Sequence, residues 1–557
     1  MKKTYINLIS VLVYSFTVVV YASESLTKLP LKQTDQNNLV KVTSNKVMDE
    51  VDLPPVPLEK TPMLSSSPEV YVQEIQIKGN TVLSASVLES EIQPYSGRKI
   101  RHQELEQLRQ KISKIYLKSG YINSGVIIPD QKVDDGIIIL KVIEGRLSDV
   151  EVSGVHKLNP GFIQERLMST DNEILKLTDL EEKLQLLKRD VRINNIGTRL
   201  MPSERRGEAT LFVNVEEKTP YQLSLIANNH RSPSMGALRG EVEAVHRNLT
   251  GWGDEINLHL GLAEGLNDYS INYSRPWNRG RYETGISYNR SDANIVEAPF
   301  DLVDIESKST SVSLQIRYWA MKRLHKTTQF SFHLDRRESK TSLAGKPFSF
   351  SPGVEEGISR VVVFRMIGEI SRSSDKLFIA LRSTMNMGID ALDATSNNNL
   401  PDGSFVSWNG QLRLSRKIFD HQLALRTDVQ IAGDSLLPLE KFAIGGHGTV
   451  RGYRENLISR DSGWITSLEY RIPVSLKVFR SSRGNLFGFY DHGKGFDKLS
   501  SQQDLDSINS LGLGIQWKPT RKLFTEFAYA YAFKQVPDNM DSIQDKGVHF
   551  RMSYNFF

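Results

Sequence analysis

From residue 221 to the C-terminus, apolar and polar positions alternate with a period of two, and convincing helical patterns are lacking. In segment 523–533, Phe527 and Tyr529 lie on an aromatic face, whereas Glu526 lies on a small and polar one. This alternation predicts β-strands with one apolar face. A soluble sandwich with the apolar face inward gives the same pattern. A length of eleven residues with aromatic ends is typical of a tilted membrane strand.

Residues 70–218 have a different pattern, which repeats with a period of about seventy-five residues. The pattern of apolar residues in each unit predicts five elements in the order strand, helix, helix, strand, strand. In the first unit, Leu105, Leu108 and Ile112 recur on one face of a helix over 102–118. Landmark residues align the two units: Gly79 with Gly154, Pro129 with Pro202, Gly136 with Gly207, and Glu144 with Glu216. Because repetition of a whole unit is rarely accidental, we predict two similar α+β domains, 69–145 and 146–219.

The N-terminus has the order of a secretory signal peptide. Two lysines precede an apolar run over 6–20, and small residues follow up to Ala22, which predicts a signal peptide over residues 1–22. Residues 23–68 are polar and end in a proline-rich stretch, which predicts a semi-rigid linker. No later stretch reaches the roughly eighteen consecutive apolar residues of a spanning helix, which excludes a helical membrane protein.

Composition narrows the functional classes. An exported chain of 557 residues without cysteine is not a disulfide-stapled domain, and its stability is expected to come from a closed sheet. The net charge of +5 is mild and no Lys/Arg block occurs, so we predict no nucleic-acid partner. Motifs of the G-x-S-x-G and H-E-x-x-H types are absent, and the histidines are scattered. We therefore predict a protein that is not an enzyme and that has no cofactor and no metal site.

A glycine-rich segment over 445–453 presents a single arginine. It contains the candidate site residues Gly446, Val450, Arg451, Gly452 and Tyr453. Glycines let a backbone fold back tightly, so the segment predicts a compact loop tip that displays the guanidinium. In isolation, such a fragment is more often an ordinary glycine-rich surface turn, just as an isolated Asp491 is more often a solvated carboxylate.

About forty residues later, the segment 489–493 offers a carboxylate on a predicted strand. Phe489, Asp491 and Gly493 share one phase of this strand. A planar guanidinium matches a carboxylate bidentately and keeps its charge, so we predict that Arg451 and Asp491 form a clasp. If Asp491 faces the inside of a closed sheet, Phe489 faces the inside as well and would contact a loop packed there.

The V-R-G-Y loop followed by the F-x-D-x-G strand resembles the two-partner secretion transporters (TpsB family, haemolysin activator/secretion protein type). The repeated α+β units resemble paired POTRA domains of the same superfamily, so the resemblance covers residues 70–557. It implies an antiparallel transmembrane β-barrel of about sixteen strands over 220–557 in the bacterial outer membrane, preceded by two periplasmic POTRA domains. It also implies channel activity and a plug helix within 23–68.

The resemblance further implies a function. The protein would recognise the N-terminal secretion domain of a large exoprotein partner (TpsA type) and export it unfolded without ATP. The partner would be a haemolysin, an adhesin or a contact-dependent toxin. Other implied partners are outer-membrane lipid and, during biogenesis, periplasmic chaperones and the barrel-assembly machinery. Partner binding is expected at POTRA sheet edges within 69–218; strands 138–142 and 211–215 are candidates, and the sequence does not tell which strand is a free edge.

Two other functions remain open at this point. An assembly factor of the same superfamily would insert other outer-membrane proteins. The presence of two α+β units favours export, because the assembly factors usually carry more. An enzyme-bearing barrel, such as a lipase or a protease, would need inward-facing catalytic residues that the sequence does not reveal.

Overall fold

The computed structural model describes residues 69–133, 135–168, 173–298, 300–398, 401–475, 482–498, 506–534 and 542–556. The predicted signal peptide (1–22) and the linker with its plug helix (23–68) lie outside these residues. The chain divides after Lys218 into an α+β unit and a β unit. In the described part of the chain, no helix is long and apolar enough to cross a membrane.

The α+β unit contains two repeats with the predicted order of elements. The first consists of β1 (Glu69–Val72), β2 (Glu74–Lys78), α1 (Ala85–Ile92), β3 (Arg98–Arg101), α2 (His102–Lys118), β4 (Gly125–Ile127) and β5 (Ile137–Ile143). The second consists of β6 (Arg146–Ser153), α3 (Pro160–Leu167), α4 (Leu177–Lys188), β7 (Ile193–Pro202) and β8 (Glu208–Glu217). The short strands β1 and β3, which pair with each other, were not predicted.

Each repeat has a hydrophobic core of its own. In the first, the apolar face of α2 buries Leu108, Ile112 and Tyr116 together with side chains of β5. The Tyr116 hydroxyl donates a hydrogen bond to Asn80 Oδ1 (2.6 Å), and burial raises the pKa of this hydroxyl. In the second, Phe162 of α3 occupies the equivalent core. The spacing of apolar residues along the helices therefore determines which face each helix buries.

The glycines that align the repeats occupy equivalent positions. Gly79 and Gly154 follow the first long strand of each repeat with φ values of 89° and 78°. A Cβ atom at these positions would lie 2.7 Å and 2.5 Å from the carbonyl oxygens of Val142 and Val215, respectively. Glycine is therefore required twice for the same reason, a left-handed backbone in close contact with the central strand.

The alignment of Glu144 with Glu216 is wrong by one residue. The Glu144 carboxylate accepts hydrogen bonds from the loop after β2, including the Thr81 N–H at 2.6 Å. In the second repeat, Glu217 does this, accepting from the N–H groups of residues 156–158 at 2.8–3.0 Å. Successive strand residues face opposite sides, and only Glu217 shares the buried face of β8, as Glu144 shares that of β5.

The strands proposed as candidate edges are central strands. The sheets have the orders β2–β5–β4 and β6–β8–β7, so residues 138–142 and 211–215 lie in the middle of their sheets. Within the described residues, the free edges belong to β2, β4, β6 and β7. The longest of these is β7, with ten residues.

In the β unit, sixteen antiparallel strands of the described chain close into a barrel, as predicted. They are β9 (Tyr221–Asn228), β10 (Arg239–His246), β11 (Glu255–Ala263), β12 (Leu266–Trp277), β13 (Tyr282–Asn294), β14 (Ile305–Lys322), β15 (Lys326–Leu343), β17 (Ile358–Ser373), β18 (Leu377–Ile389), β19 (Val406–Ile418), β20 (His421–Ala432), β23 (Ser462–Val474), β24 (Arg483–Phe496), β25 (Ser507–Lys518), β26 (Leu523–Ala532) and β27 (Val548–Asn555). The short strand β16 (Lys346–Pro347) pairs with β15, and β21 (Phe442–Ile444) pairs with β22 (Ile458–Arg460).

The barrel has an apolar outer face and a more polar inner face. On β26, Phe527, Tyr529 and Tyr531 are exposed on the outside, whereas Ala528 and Ala530 are buried inside. The alternation predicted from sequence therefore belongs to a membrane barrel and not to a soluble sandwich. The barrel is closed by antiparallel pairing of β27 with β9.

The two ends of the barrel differ in their connections. Strand β9 begins just after the α+β unit, and the connections at that end include the short segments 278–281 and 323–325. The opposite end has long connections, including 344–357 and 433–461. This asymmetry is typical of outer-membrane barrels, whose long loops lie outside the cell.

Candidate functional site

The connection between β20 and β23 folds back as the hairpin β21–β22, whose residues 445–457 we call the tip loop. Gly446 and Gly452 have φ values of 94° and 88°, a region that favours glycine. A Cβ atom on Gly452 would lie 2.9 Å from the Cβ of Ala530, which faces inward on β26. The tip loop therefore lies inside the barrel, in close contact with its wall.

Apolar contacts position the tip loop. Val450 and Tyr453 are buried in a cluster whose other members come from the hairpin and from β23 and β25: Ile444, Ile458, Ile465 and Ile508. The Tyr453 hydroxyl donates to the Asn509 carbonyl oxygen (2.9 Å). A Cβ atom on Gly493 would lie 2.5 Å from Ile444, so glycine here lets the hairpin approach β24.

Arg451 and Asp491 are brought together as the sequence predicts. The Arg451 Nε and Nη2 atoms donate to the two Asp491 carboxylate oxygens at 2.8 and 2.9 Å. The Arg451 backbone N–H also donates to Asp491 Oδ2 (3.1 Å). Both residues are buried, Asp491 completely. The pair joins the tip loop to β24 by bidentate, charge-assisted hydrogen bonds.

Phe489 forms part of the same site. The Arg451 guanidinium carbon lies 3.4 Å from the centroid of the Phe489 ring, within the range of a cation–π contact. Phe487 lies further away, at 5.9 Å, and both rings are buried on the inner face of β24. The inward phenylalanines therefore contact the tip loop on one side of the carboxylate.

A second carboxylate, which the sequence did not single out, completes the site. Glu469 on β23 accepts a hydrogen bond from Arg451 Nη1 (2.9 Å), and it also binds Arg471. The Ser467 hydroxyl accepts from Arg451 Nη2 (3.2 Å). These residues follow the inward phase of β23, which is polar at alternate positions. Alternation could have identified them as inward, but their partner could not be read from the sequence.

Two further groups of ion pairs hold the same connection, and the sequence did not predict them. Before β21, Glu440 accepts hydrogen bonds from Arg337 (3.0 Å) and Arg365 (2.9 Å) on β15 and β17. On the tip loop, Arg454 binds Asp545 (2.6 Å) and Glu297 (3.0 Å) at the long-loop end. The connection is thus held at its base and at its tip.

The chemistry available to this site is ionic pairing and hydrogen bonding. Its guanidinium and carboxylate groups contact one another, which suits the holding of a loop. Among the residues that the structure describes, no group of three or more His, Asp or Glu side chains is placed to hold a metal ion. The role of Arg451 and Asp491 as a clasp in transport stays a prediction.

Comparisons with known proteins agree with this architecture. The family model of the haemolysin secretion/activation protein ShlB/FhaC/HecB matches residues 207–517, and that of the ShlB-type POTRA domain matches residues 70–145. The heme/hemopexin transporter protein HuxB of Haemophilus influenzae (strain 86-028NP) is 23% identical over 469 residues, which cover 81% of each chain.

Solved structures show the same fold. CdiB from Escherichia coli superposes with a TM-score of 0.67 at 18% identity, over 97% of this chain and 100% of that chain. BamA from Haemophilus ducreyi lacking POTRA domains 1–3 superposes with a TM-score of 0.53 at 12% identity, over 87% and 100%. The barrel lies in the outer membrane and the POTRA region in the periplasm. The chain belongs to the haemolysin secretion/activation protein family ShlB/FhaC/HecB, a family of two-partner secretion transporters.

Proposed function

We propose that the protein captures the secretion domain of a large secreted partner at the free edge of its second POTRA repeat. The partner then passes unfolded through the barrel to the cell surface. Membership of a transporter family gives the class of activity. We propose three further points: the protein itself recognises the partner, the partner is unfolded during transport, and no nucleotide is consumed.

The observation that carries the proposal is a groove beside the longest free edge. It lies between α4 and β7, and its lining is mainly apolar: Ile122, Leu177, Leu180, Leu184, Ile196, Leu200 and Leu211. An extended segment added alongside β7 would form main-chain hydrogen bonds with it. Alternate side chains of that segment would then point into the groove. The chemistry suits an extended segment with alternating apolar residues.

The inner wall of the barrel away from the tip loop supports passage of an unfolded chain. The cross-strand pairs Ser287–Ser313 and Asn289–Ser311 of β13 and β14 lie on the inner face and are small and polar. Such side chains offer weak, exchangeable hydrogen bonds to a passing backbone. Because nucleotide is not supplied at the outer membrane, folding of the partner outside is the proposed source of energy.

The passenger is proposed to be a haemolysin, an adhesin or a contact-dependent toxin. HuxB is named for heme/hemopexin transport, which adds a heme-related passenger to these candidates. Outer-membrane lipid, periplasmic chaperones and the assembly machinery are the other proposed partners. The second candidate function, assembly of other barrels, is favoured by the short closing seam: β27 and β9 share five register pairs, against eight between β9 and β10.

Reconstitution tests the proposal. Proteoliposomes that hold the purified protein with its POTRA domains outside are given the unfolded secretion domain of the partner, without nucleotide. We expect the secretion domain to become protected from external protease, and a scrambled domain to remain accessible. Protection that requires ATP would contradict transport without nucleotide. Insertion of added barrel proteins in place of translocation would favour the assembly function.

A further inference from the structure

The outer face of β13–β17 changes from apolar to charged before the strands end. On β14, Val312, Leu314 and Ile316 are exposed and belong to the apolar band of the barrel. On β15, Phe332 and Leu334 continue this band. Both strands have eighteen residues, well beyond the roughly 9–11 that a membrane strand needs. Their outward side chains beyond the band therefore lie at the membrane boundary.

A cluster of cations follows on this outer face. Strand register and the period of two place five of them there, and we call them the boundary patch: Arg290, Lys308, Arg336, Lys340 and Arg360. Three carboxylates lie among them: Asp292, Glu306 and Glu338. Elsewhere at this end, the last outward positions of other strands include the apolar residues Leu262, Ile389 and Ile431. The five cations of the boundary patch thus cluster on the side of the barrel that β13–β17 form.

Lys308 and Lys340 occupy directly opposite positions on β14 and β15. Like charges directly opposite each other destabilise a sheet. Their side chains are 54% and 55% exposed, so both ammonium groups are accessible from outside. An anion seated between the two charges would relieve this repulsion.

The nearby carboxylates do not balance the boundary patch. Glu338 alone contacts three of its cations, Arg360 at 2.6 Å, Lys340 at 2.9 Å and Arg336 at 3.5 Å. Lys308 pairs with Glu306 and Arg290 with Asp292. Five cations therefore share three carboxylates, and donors on the guanidinium and ammonium groups remain available to a further anion.

The boundary patch faces the outer leaflet. The POTRA region is periplasmic, β9 begins at the periplasmic end, and the patch lies at the opposite end, beside the connections 295–304 and 344–357. The outer leaflet of this membrane carries lipopolysaccharide, whose lipid A phosphates lie at the level of the head groups. Clustered Lys and Arg side chains at a membrane boundary bind anionic head groups, and guanidinium groups bind phosphate bidentately.

We propose that the boundary patch is a binding site for the phosphates of lipid A on the outer surface of β13–β17. A phosphate seated between Lys308 and Lys340 removes their repulsion, and Arg336 and Arg360 supply planar donors beside it. The acyl chains of the same molecule pack against the apolar band below. This site rests on the outer-membrane location of the barrel and not on the proposed recognition of a partner.

Lipid binding by the full-length protein tests the site. The variant Lys308→Gln/Arg336→Gln/Lys340→Gln is compared with Lys326→Gln/Lys376→Gln/Lys417→Gln, which removes three exposed lysines at the periplasmic end. Purified lipid A is titrated onto both in detergent. A cation beside an anionic lipid contributes roughly fivefold in affinity, so we expect at least about a tenfold loss in the first variant. The control variant should bind as the wild type does.

Thermal unfolding separates binding from a structural role. Without lipid, the first variant should unfold near the wild-type temperature, because it loses the lysine repulsion together with exposed ion pairs that contribute little. With lipid A, the wild-type protein should gain stability and the variant should gain much less. Equal stabilisation of both by lipid A would overturn the proposal. Equal stabilisation of the wild type by phosphatidylglycerol or by inorganic phosphate would overturn lipid A as the ligand.

Discussion

Secretion of the partner is expected to fall at least about tenfold when Arg451 is replaced by alanine, although the barrel still folds and inserts. The substitution leaves Asp491 fully buried and without its guanidinium. Removing one member of a buried ion pair costs roughly 3–5 kcal/mol, and less in a wet lumen. That energy disfavours the seated tip loop. Secreted partner in the medium, relative to transporter abundance, is the measurement.

The Arg451–Asp491 pair should behave as a unit. Asp491→Ala is expected to reduce secretion as strongly as Arg451→Ala, and the double variant should be no worse than either. Arg451→Lys should retain little activity, because an ammonium group cannot reproduce the bidentate pairing or the planar contact with Phe489.

A matched control is available in the same lumen. Arg413 on β19 binds Asp428 on β20 at 2.7 Å, and both are wall residues. Arg413→Ala removes an inward ion pair and no direct contact of the tip loop, while Arg426, which donates to the Thr449 carbonyl oxygen (2.9 Å), keeps its pairing with Asp428. This variant should secrete normally. Heat-modifiable electrophoretic mobility should show a folded barrel in every variant. Normal secretion by Arg451→Ala at wild-type abundance would contradict a role of the Arg451–Asp491 pair in transport and would show that the V-R-G-Y segment is only a structural turn.

Binding of the secretion domain to the second POTRA repeat is expected to weaken roughly tenfold when proline removes an outward N–H group of β7. Along an edge strand, N–H groups point alternately towards the neighbouring strand and away from it. Single proline substitutions at Gly197, Thr198 and Arg199 therefore include N–H groups that point outward and N–H groups that point towards β8. A proline that removes an N–H group pointing towards β8 breaks the strand pairing and changes the circular dichroism spectrum. A variant that keeps the native spectrum has therefore lost an N–H group that points outward.

The control for this series is Arg199→Ala, which keeps the backbone N–H and changes an exposed side chain of β7 that does not line the groove. It should bind the secretion domain normally. Affinity is measured by calorimetry with the full-length protein in detergent. If every natively folded proline variant of the series binds the secretion domain with wild-type affinity, β7 is not the binding edge.

Much of the fold could be predicted because its signals are local. The apolar face of α2 is visible as a 3.6-residue spacing, and the lipid-facing aromatics of β26 as a period of two. The pairing of Arg451 with Asp491 was predictable from a resemblance, since forty residues separate the two in sequence. The shared face of Asp491 and Phe489 followed from alternation, and its inward direction followed from the resemblance.

Most features that the sequence did not predict depend on pairing between segments that are far apart in the chain. Glu469 and Glu440 are single polar residues on an inward phase, and only closure of the barrel reveals their arginine partners. The alignment of Glu144 with Glu216 was a local error, because Leu211, Val213 and Val215 of β8 share the phase of Glu217 and not that of Glu216. The edge strands of the POTRA sheets depend on strand order, which no local pattern encodes.

Crosslinking of a stalled partner tests most directly whether the lumen is the path of export. A tightly folding domain fused to the C-terminal end of the partner halts it during secretion, with a photo-crosslinking amino acid placed at Ser313 or Leu314. Ser313 lies on the inner face of β14, and Leu314, 52% exposed, lies on the outer face. We predict an adduct between the partner and the barrel from position 313 and none from position 314. Equal adducts from both positions, or none from position 313 while the partner is stalled, would contradict passage through the barrel.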